Sequence, residues 1–584
     1  MFYIDGGYNM FQHKFLLLGL ILLNVPNAAF AQIETDRANA NNQNVIQQYE
    51  QERRQEELNR KISREQKALN TDIQTQKQSI PQSGNCINVN AIELQGATIF
   101  EDSDYNKITG QYANRCLYIS DINDLTQDLS NLYIDRGYIS SRAYIPEQDL
   151  SSGVLKLFIV EGRLEQILYQ PSNGKGEYRE ITTAFGDIQG DVLNLRDVEQ
   201  GMDQMNRLES NEVTMELMPG TQTGGTVILL KNQRSKPWHV KTGVDNYGSA
   251  STGEVQGFVE LGYDNLFSAN DLISFSFKHD LEQANRRQSK NVYGRYEVPY
   301  GPYNFSYSLS YFDYISQIST LTNDFKTEGY SRTHDLSVAR VLYRDQKSKT
   351  NANISFVSKE NENFLSGFKL SNSSQKLTIL KGGLSHSRQI SNGFLFGALN
   401  INQGVGWLGA QEDDGLSPAS PQAEFTSVTA DLNAIKFWDW GWGAYNPRTD
   451  LVARGQWSSD QLFGSEQISA GGPFSVRGFK SASLSGDTGA YGRFDFSIPF
   501  KTFKGVQTQK YIGTIVPYAG FDAGVIKSDK QNPFEGGQVK SWTLGLKNQS
   551  AAIDFDVSYS RAISSPAFLE EDSGELYFRA SIKF

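Results

Sequence analysis

Residues 575–584 read ELYFRASIKF. Leu576, Phe578, Ala580, Ile582 and Phe584 alternate with Glu575, Tyr577, Arg579, Ser581 and Lys583 up to the last residue. Successive side chains of a strand point to opposite faces, so period two with one apolar face marks a strand between an oily and a wet environment. The pattern recurs upstream. Ile553, Phe555, Val557 and Tyr559 alternate with Asp554, Asp556, Ser558 and Ser560, and Phe305, Tyr307, Leu309 and Tyr311 alternate with Asn304, Ser306, Ser308 and Ser310. All seven tryptophans lie from Trp238 onward, which suits aromatic girdles at two membrane interfaces. That region holds about 350 residues, and at roughly 20 residues per strand and connection it makes about 16 strands. The expected fold is an all-β transmembrane barrel of about 16 antiparallel strands over residues 236–584. A soluble β-sandwich or propeller is the competing architecture, and it would have to expose alternate aromatics to the chain end. Lipid cannot satisfy an open sheet edge, so the last strand must pair with the first, which begins near WHVKTGVDNYG (residues 238–248). Phe584 then provides the C-terminal aromatic of a strand handed to an outer-membrane assembly machine.

Composition agrees. The 55 Lys and Arg against 66 Asp and Glu give a net charge of −11, and with no long basic run nucleic acid is excluded as a partner. No apolar run is long enough for a spanning helix, which leaves strands as the way across a bilayer. Five histidines without metal spacing, and the absence of a phosphate-binding or nucleophile-elbow motif, give no catalytic, cofactor-binding or metal residue to name.

The N-terminus carries an address. Lys14 precedes FLLLGLILL (Phe15 to Leu23), followed by Ala29-Phe30-Ala31, the pattern of a signal peptide over residues 1–31 with Gln32 as the mature start. Asp5 makes the first nine residues a poor charged region, so Met10 is an alternative start. In an exported chain the two cysteines, Cys86 and Cys116, are expected to pair, the alternative being two free buried thiols.

Residues 32–68 read as a polar helix with Glu50/Arg54, Glu56/Arg60 and Glu57/Lys61 pairs and too few apolar residues for a core-facing stripe. Residues 69–84 read as a linker. Residues 85–163 and 164–235 repeat one order, β-α-α-β-β, which makes two small α+β domains in tandem. In the first, INVNAIELQG is the opening strand, and a helix from Ser120 or Asp121 puts Ile122, Leu125, Leu129 and Leu132 on one side and stops at DRGY, with Gly137 just past its end.

One loop stands out in the barrel region. Residues 471–480 read GGPFSVRGFK, an arginine between a valine and a glycine behind a Gly-Gly-Pro turn. With the domain order above, this stretch resembles part of the two-partner secretion transporters, outer-membrane proteins of the superfamily that includes the barrel-assembly insertase. Leu132 to Gly162 and Leu193 to Thr221 are similar to the signatures of the family's two periplasmic POTRA domains. Val476-Arg477-Gly478-Phe479 matches its VRG(F/Y) motif. GFDAG, with Gly520, Asp522 and Gly524, matches its inner-wall motif. The resemblance implies that the sixth extracellular loop folds into the barrel and that Arg477 pairs with Asp522. A guanidinium binds a carboxylate through two parallel hydrogen bonds. In a wet lumen such a pair is worth about 1 kcal/mol, more if water is excluded. The competing role for Arg477 is a brace of the barrel. Gly471, Gly472 and Gly478 are expected to supply backbone freedom.

The resemblance also implies that the N-terminal helix plugs the pore, a disordered tail or periplasmic coiled segment being the alternative. The implied partners are a large secreted exoprotein with an N-terminal secretion domain, outer-membrane lipid and the barrel-assembly machinery. The implied location is the outer membrane of a Gram-negative cell, with the POTRA domains in the periplasm. The implied activity is passive, non-enzymatic export, with a contact-dependent growth-inhibition toxin favoured over a cytolysin or adhesin as cargo. A barrel-protein insertase and a structural or adhesive barrel without cargo are the other classes.

Overall fold

The computed structural model describes residues 27–67, 85–174, 176–282, 287–319, 324–415, 417, 420–441, 446–480, 482–500, 505–528, 536–569 and 574–584. The charged and apolar parts of the expected signal peptide and the whole of the expected linker, residues 69–84, lie outside them.

In the first α+β unit, Ala91–Gln95 runs parallel to Val154–Val160, whose other edge pairs with Arg142–Tyr144. The helices Asp102–Thr109 and Ile119–Asp135 cover one face. The longer helix starts where Asp121 reaches back to the Tyr118 backbone N–H at 2.8 Å. It ends before Gly137, whose φ of 94° is the left-handed turn that glycine allows. Leu125 and Leu129 meet Leu155, Leu157 and Ile159 in a fully buried core, so the spacing of four does place them on one face. INVNAIELQG does not form one strand. Ile87–Val89 pairs separately with Arg115–Leu117, and Cys86 and Cys116 form a disulfide beside this ribbon with their Cα atoms 5.3 Å apart.

The second unit repeats the plan. Arg163–Pro171 is parallel to Gly225–Arg234, which pairs with Asn211–Pro219. Tyr178–Phe185 and Leu195–Asn206 pack Phe185, Val198, Met202 and Met205 onto the sheet.

Sixteen antiparallel strands, from Trp238–Asp245 to Glu575–Lys583, then close into a barrel; Phe368–Lys369 only extends one hairpin tip. The last strand pairs with the first from Arg579↔Asp245 to Lys583↔Lys241, and the Phe584 N–H reaches the Val240 carbonyl at 2.9 Å. The alternation settles which face is which. Phe305, Tyr307 and Leu309 are 39–44% exposed on the outside, while Ser306, Ser308 and Ser310 are buried inside. Only lipid outside makes such a surface favourable.

The second unit sits under the short-turn end. Gln204 donates to the Gly301 carbonyl at 2.9 Å, the Ser210 N–H to Asp264 at 2.8 Å, and Asn265 to Glu180 at 2.6 Å. Arg344 is paired with Asp203. Counting hairpins from this end, residues 459–488 form the sixth loop on the opposite side.

Candidate functional site

The sixth loop turns into the barrel as a ribbon of Ile468–Ala470 and Leu484–Gly486. Its tip is built by local chemistry. Gly472 adopts φ 94° and donates to the Phe479 carbonyl at 2.6 Å, and the Ser475 hydroxyl bridges the backbone of Gly471. The result pins the chain on both sides of Arg477.

Arg477 meets Asp522 on the strand Thr514–Ile526. Nε donates to Oδ2 at 2.9 Å and one terminal nitrogen to Oδ1 at 2.6 Å, the two-bond geometry of a guanidinium on a carboxylate. The Arg477 backbone N–H adds a third bond at 3.0 Å, and the Ser541 hydroxyl reaches Asp522 at 3.2 Å. Two contacts were not legible in the sequence: Asp495, which shares the guanidinium at 2.6 Å, and Tyr577, whose hydroxyl donates to the Arg477 carbonyl at 2.8 Å. Cross-strand register brings them in. Asp495 faces Gly520 on the neighbouring strand, and Tyr577 comes from the last strand, three strands on from that of Asp522 around the barrel.

Of the two cases open for this pair, wet and water-excluded, the structure has the second. Arg477 is 3% exposed and Asp522 fully buried. Val476 and Phe479, also fully buried, pack with Ile468, Ala470, Leu484, Ile526 and Val539 and shut water out. The motif glycines have steric reasons. A Cβ at Gly520 would lie 2.3 Å from both the guanidinium and the Asp495 carboxylate, and one at Gly524 would lie 2.6 Å from the Ala470 methyl. Gly478 differs from its expected role. It does not adopt a left-handed conformation; a Cβ there would lie 2.6 Å from the Ser541 side chain and 2.7 Å from the Ala562 backbone nitrogen, so its absence lets the loop pack against the wall.

The polar helix, Asn27–Lys67, runs inside the barrel. At 1.5 Å per residue its length is about 60 Å, enough to traverse the lumen. Glu56–Arg60 and Glu57–Lys61 pair along it at 3.6 and 3.1 Å, but Glu50 is met by Arg53 at 2.9 Å and by Lys359 of the wall at 3.1 Å. The few apolar residues of the helix are nonetheless buried. Val45, Ile46 and Tyr49 pack on Phe312 and Tyr314, with Tyr49 stacked on Phe312 at 4.4 Å, and Leu58 and Ile62 pack on Phe394, Phe396 and Ile435. These residues make no regular stripe because the wall they meet is itself patchy: apolar where an aromatic points inward, charged elsewhere.

Ion pairs complete the fit. Glu52 meets Lys278 at 2.7 Å, Glu65 meets Lys349 at 3.5 Å, and Arg64 meets Glu297. Helix and loop also bind each other, Gln51 donating to the Ser469 carbonyl at 2.8 Å and Gln48 to the Lys480 carbonyl at 3.2 Å. Among the described residues no three His, Cys, Asp or Glu side chains converge as a metal site would need.

A closed sixteen-stranded barrel whose lumen holds a helix and an inward loop, with two α+β units preceding it, defines an outer-membrane barrel protein of the POTRA-bearing kind. The model of the haemolysin secretion/activation protein ShlB/FhaC/HecB family matches residues 224–548, and POTRA models, the first of them ShlB-type, match residues 87–162 and 163–219. The chain is 35% identical to the outer membrane transporter CdiB of Dickeya dadantii, over 86% of this chain and 87% of that one. It is 31% identical to the hemolysin transporter protein ShlB of Serratia marcescens, over 87% of each. The solved structure of CdiB from Escherichia coli superposes with a TM-score of 0.85 at 30% identity, covering 93% of this chain and 98% of that one. The chain belongs to the haemolysin secretion/activation family: it is an outer-membrane transporter of two-partner secretion, with its POTRA domains in the periplasm.

Proposed function

We propose that this transporter exports a contact-dependent growth-inhibition exoprotein, and that the helix and sixth loop in its lumen form the gate. The observation that carries the reading is end-to-end similarity to CdiB transporters joined to a lumen filled by residues of the chain itself. In this reading, residues 85–163 and 164–235 are two POTRA domains that receive the secretion domain of an unfolded exoprotein as an added strand, through main-chain hydrogen bonds. The helix of residues 32–68 leaves the lumen on the linker of residues 69–84. The hairpin carrying Arg477 shifts, and the exoprotein threads outward, its folding outside preventing return. Outer-membrane lipid and the barrel-assembly machinery are the partners of biogenesis, with Phe584 in the assembly signal.

The test uses cells carrying this transporter and the exoprotein encoded beside it. Exoprotein is expected on intact cells and in medium only with the transporter, and at reduced level with Arg477→Ala at normal barrel abundance. Export without the transporter would refute the secretion reading. Export of a cytolysin or adhesin, with no growth inhibition of neighbouring cells, would refute the cargo class alone.

A further inference from the structure

The wall residues that hold the helix have a common feature. Lys359, buried in the strand Ser348–Leu365, touches Glu50 of the helix at 3.1 Å and also Glu466 at 2.7 Å, which lies ahead of the inward ribbon of the sixth loop and whose carbonyl is held to the wall by Gln456 at 2.9 Å. Lys278, buried in the strand Leu272–Asp280, touches Glu52 of the helix at 2.7 Å and also Asp245 of the first strand at 3.2 Å. Glu297, 1% exposed near the POTRA-side mouth, accepts from Arg64 of the helix and from Arg295 of its own strand at 3.0 Å, and is ion-paired with Arg207 of the second POTRA unit at 3.2 Å. Thus each of these three wall charges has one partner on the helix and at least one that stays behind. The helix is matched in kind at Glu50, which leaves together with Arg53, 2.9 Å away along the same helix. The other ion pair between helix and wall among the described residues, Glu65 with Lys349, lines a cavity at the mouth, and Glu65 is also held there by hydrogen bonds from Asn351 and Ser387.

This arrangement bears on how a charged plug can come out. A buried charge that loses its only partner is costly, because neither water nor another ion compensates it. Three such losses at once would make the closed state effectively permanent. We propose that the counter-ions of the wall are held in duplicate so that the helix can depart without stranding a buried charge. Glu466 and Asp245 then act as stand-by partners for Lys359 and Lys278 in the open pore, and Arg207 ties the Glu297 stand-by to the domain at the entrance.

The proposal rests on the plug reading and makes a prediction of opposite sign to that of a simple bracing network. In a bracing network every lost ion pair loosens the helix. Here, removal of a stand-by partner destabilises the open pore and leaves the helix pair intact, so it tightens closure.

The test is single-channel conductance of the full-length mature protein in planar bilayers, with heat-modifiable gel migration as the folding check. Glu50→Gln and Glu52→Gln are expected to open the channel more often than wild type. Glu466→Gln and Asp245→Asn are expected to make openings rarer by about tenfold. Glu50→Gln is expected to have a larger effect in the Glu466→Gln background, where Lys359 has no second acid to fall back on. Wild-type or increased opening of Glu466→Gln and Asp245→Asn would overturn the proposal, and Asp245→Asn decides it alone if Glu466→Gln does not fold. Unchanged conductance on deleting residues 32–68 would instead remove the plug reading beneath it.

Discussion

Replacing Arg477 by methionine keeps the length of the side chain and removes its charge. It leaves Asp522, fully buried, with only the backbone N–H of residue 477 and the Ser541 hydroxyl, and takes away one partner of Asp495. Removal of one partner from a buried pair costs about 3–5 kcal/mol, against about 1 kcal/mol for a pair in contact with water. Val476 and Phe479 remain to hold the loop, each contributing about 1.5–3 kcal/mol by burial. The loop therefore stays docked in most molecules, but its undocked population rises by about two to three and a half orders of magnitude. Amide hydrogen exchange at Gly472 reads this directly, because its N–H is bonded to the Phe479 carbonyl only while the tip is folded. Protection at Gly472 is expected to fall by that factor in Arg477→Met. In Arg477→Met/Asp522→Leu, where no carboxylate is stranded at position 522, part of it is expected to return. A drop of fivefold or less in the single variant would refute the reasoning, since it would give the pair the worth of a surface ion pair despite its burial.

Gly520→Ala places a methyl 2.3 Å from the Arg477 guanidinium and is expected to cost about 1–3 kcal/mol of loop docking, seen as the same exchange at Gly472 without any change of charge. Tyr49→Ala removes the ring stacked on Phe312 and is expected to weaken helix docking by about 3–5 kcal/mol, read as a large rise in spontaneous bilayer openings. In the first POTRA unit, burial works against ionisation of Glu161, but hydrogen bonds from Thr98, Ile99 and Tyr133 outweigh it and hold the carboxyl below its ordinary range. Its contribution is complete above the unfolded value of about 4.3 and is lost as pH falls through the lower folded value. Acidification in that window is expected to lower the protection factor at Ile99, taken against the intrinsic rate at each pH, and Glu161→Gln to remove that change.

The parts legible in the sequence are those set by local periodicity. ELYFRASIKF must be a strand between lipid and a wet interior because side chains alternate at every residue, and one strand of that kind forces closure of the whole sheet. Leu125 and Leu129 must share a helix face, and Gly137 must end that helix. Neither statement needs a distant residue. Arg477 and Asp522 were nameable only because two short motifs resemble those of a family, since 45 residues of chain separate them and nothing local joins them. What tertiary structure decided follows from register and packing. It placed Asp495 and Tyr577 at the arginine, turned Gly478 from a hinge into a point of close approach, and made the site dry. It also gave Lys359, Lys278 and Glu297 two sets of partners, one on the helix and one off it. Dielectric and counter-ion identity are properties of neighbours brought together by sixteen strands closing on a helix, and no window of sequence contains those neighbours.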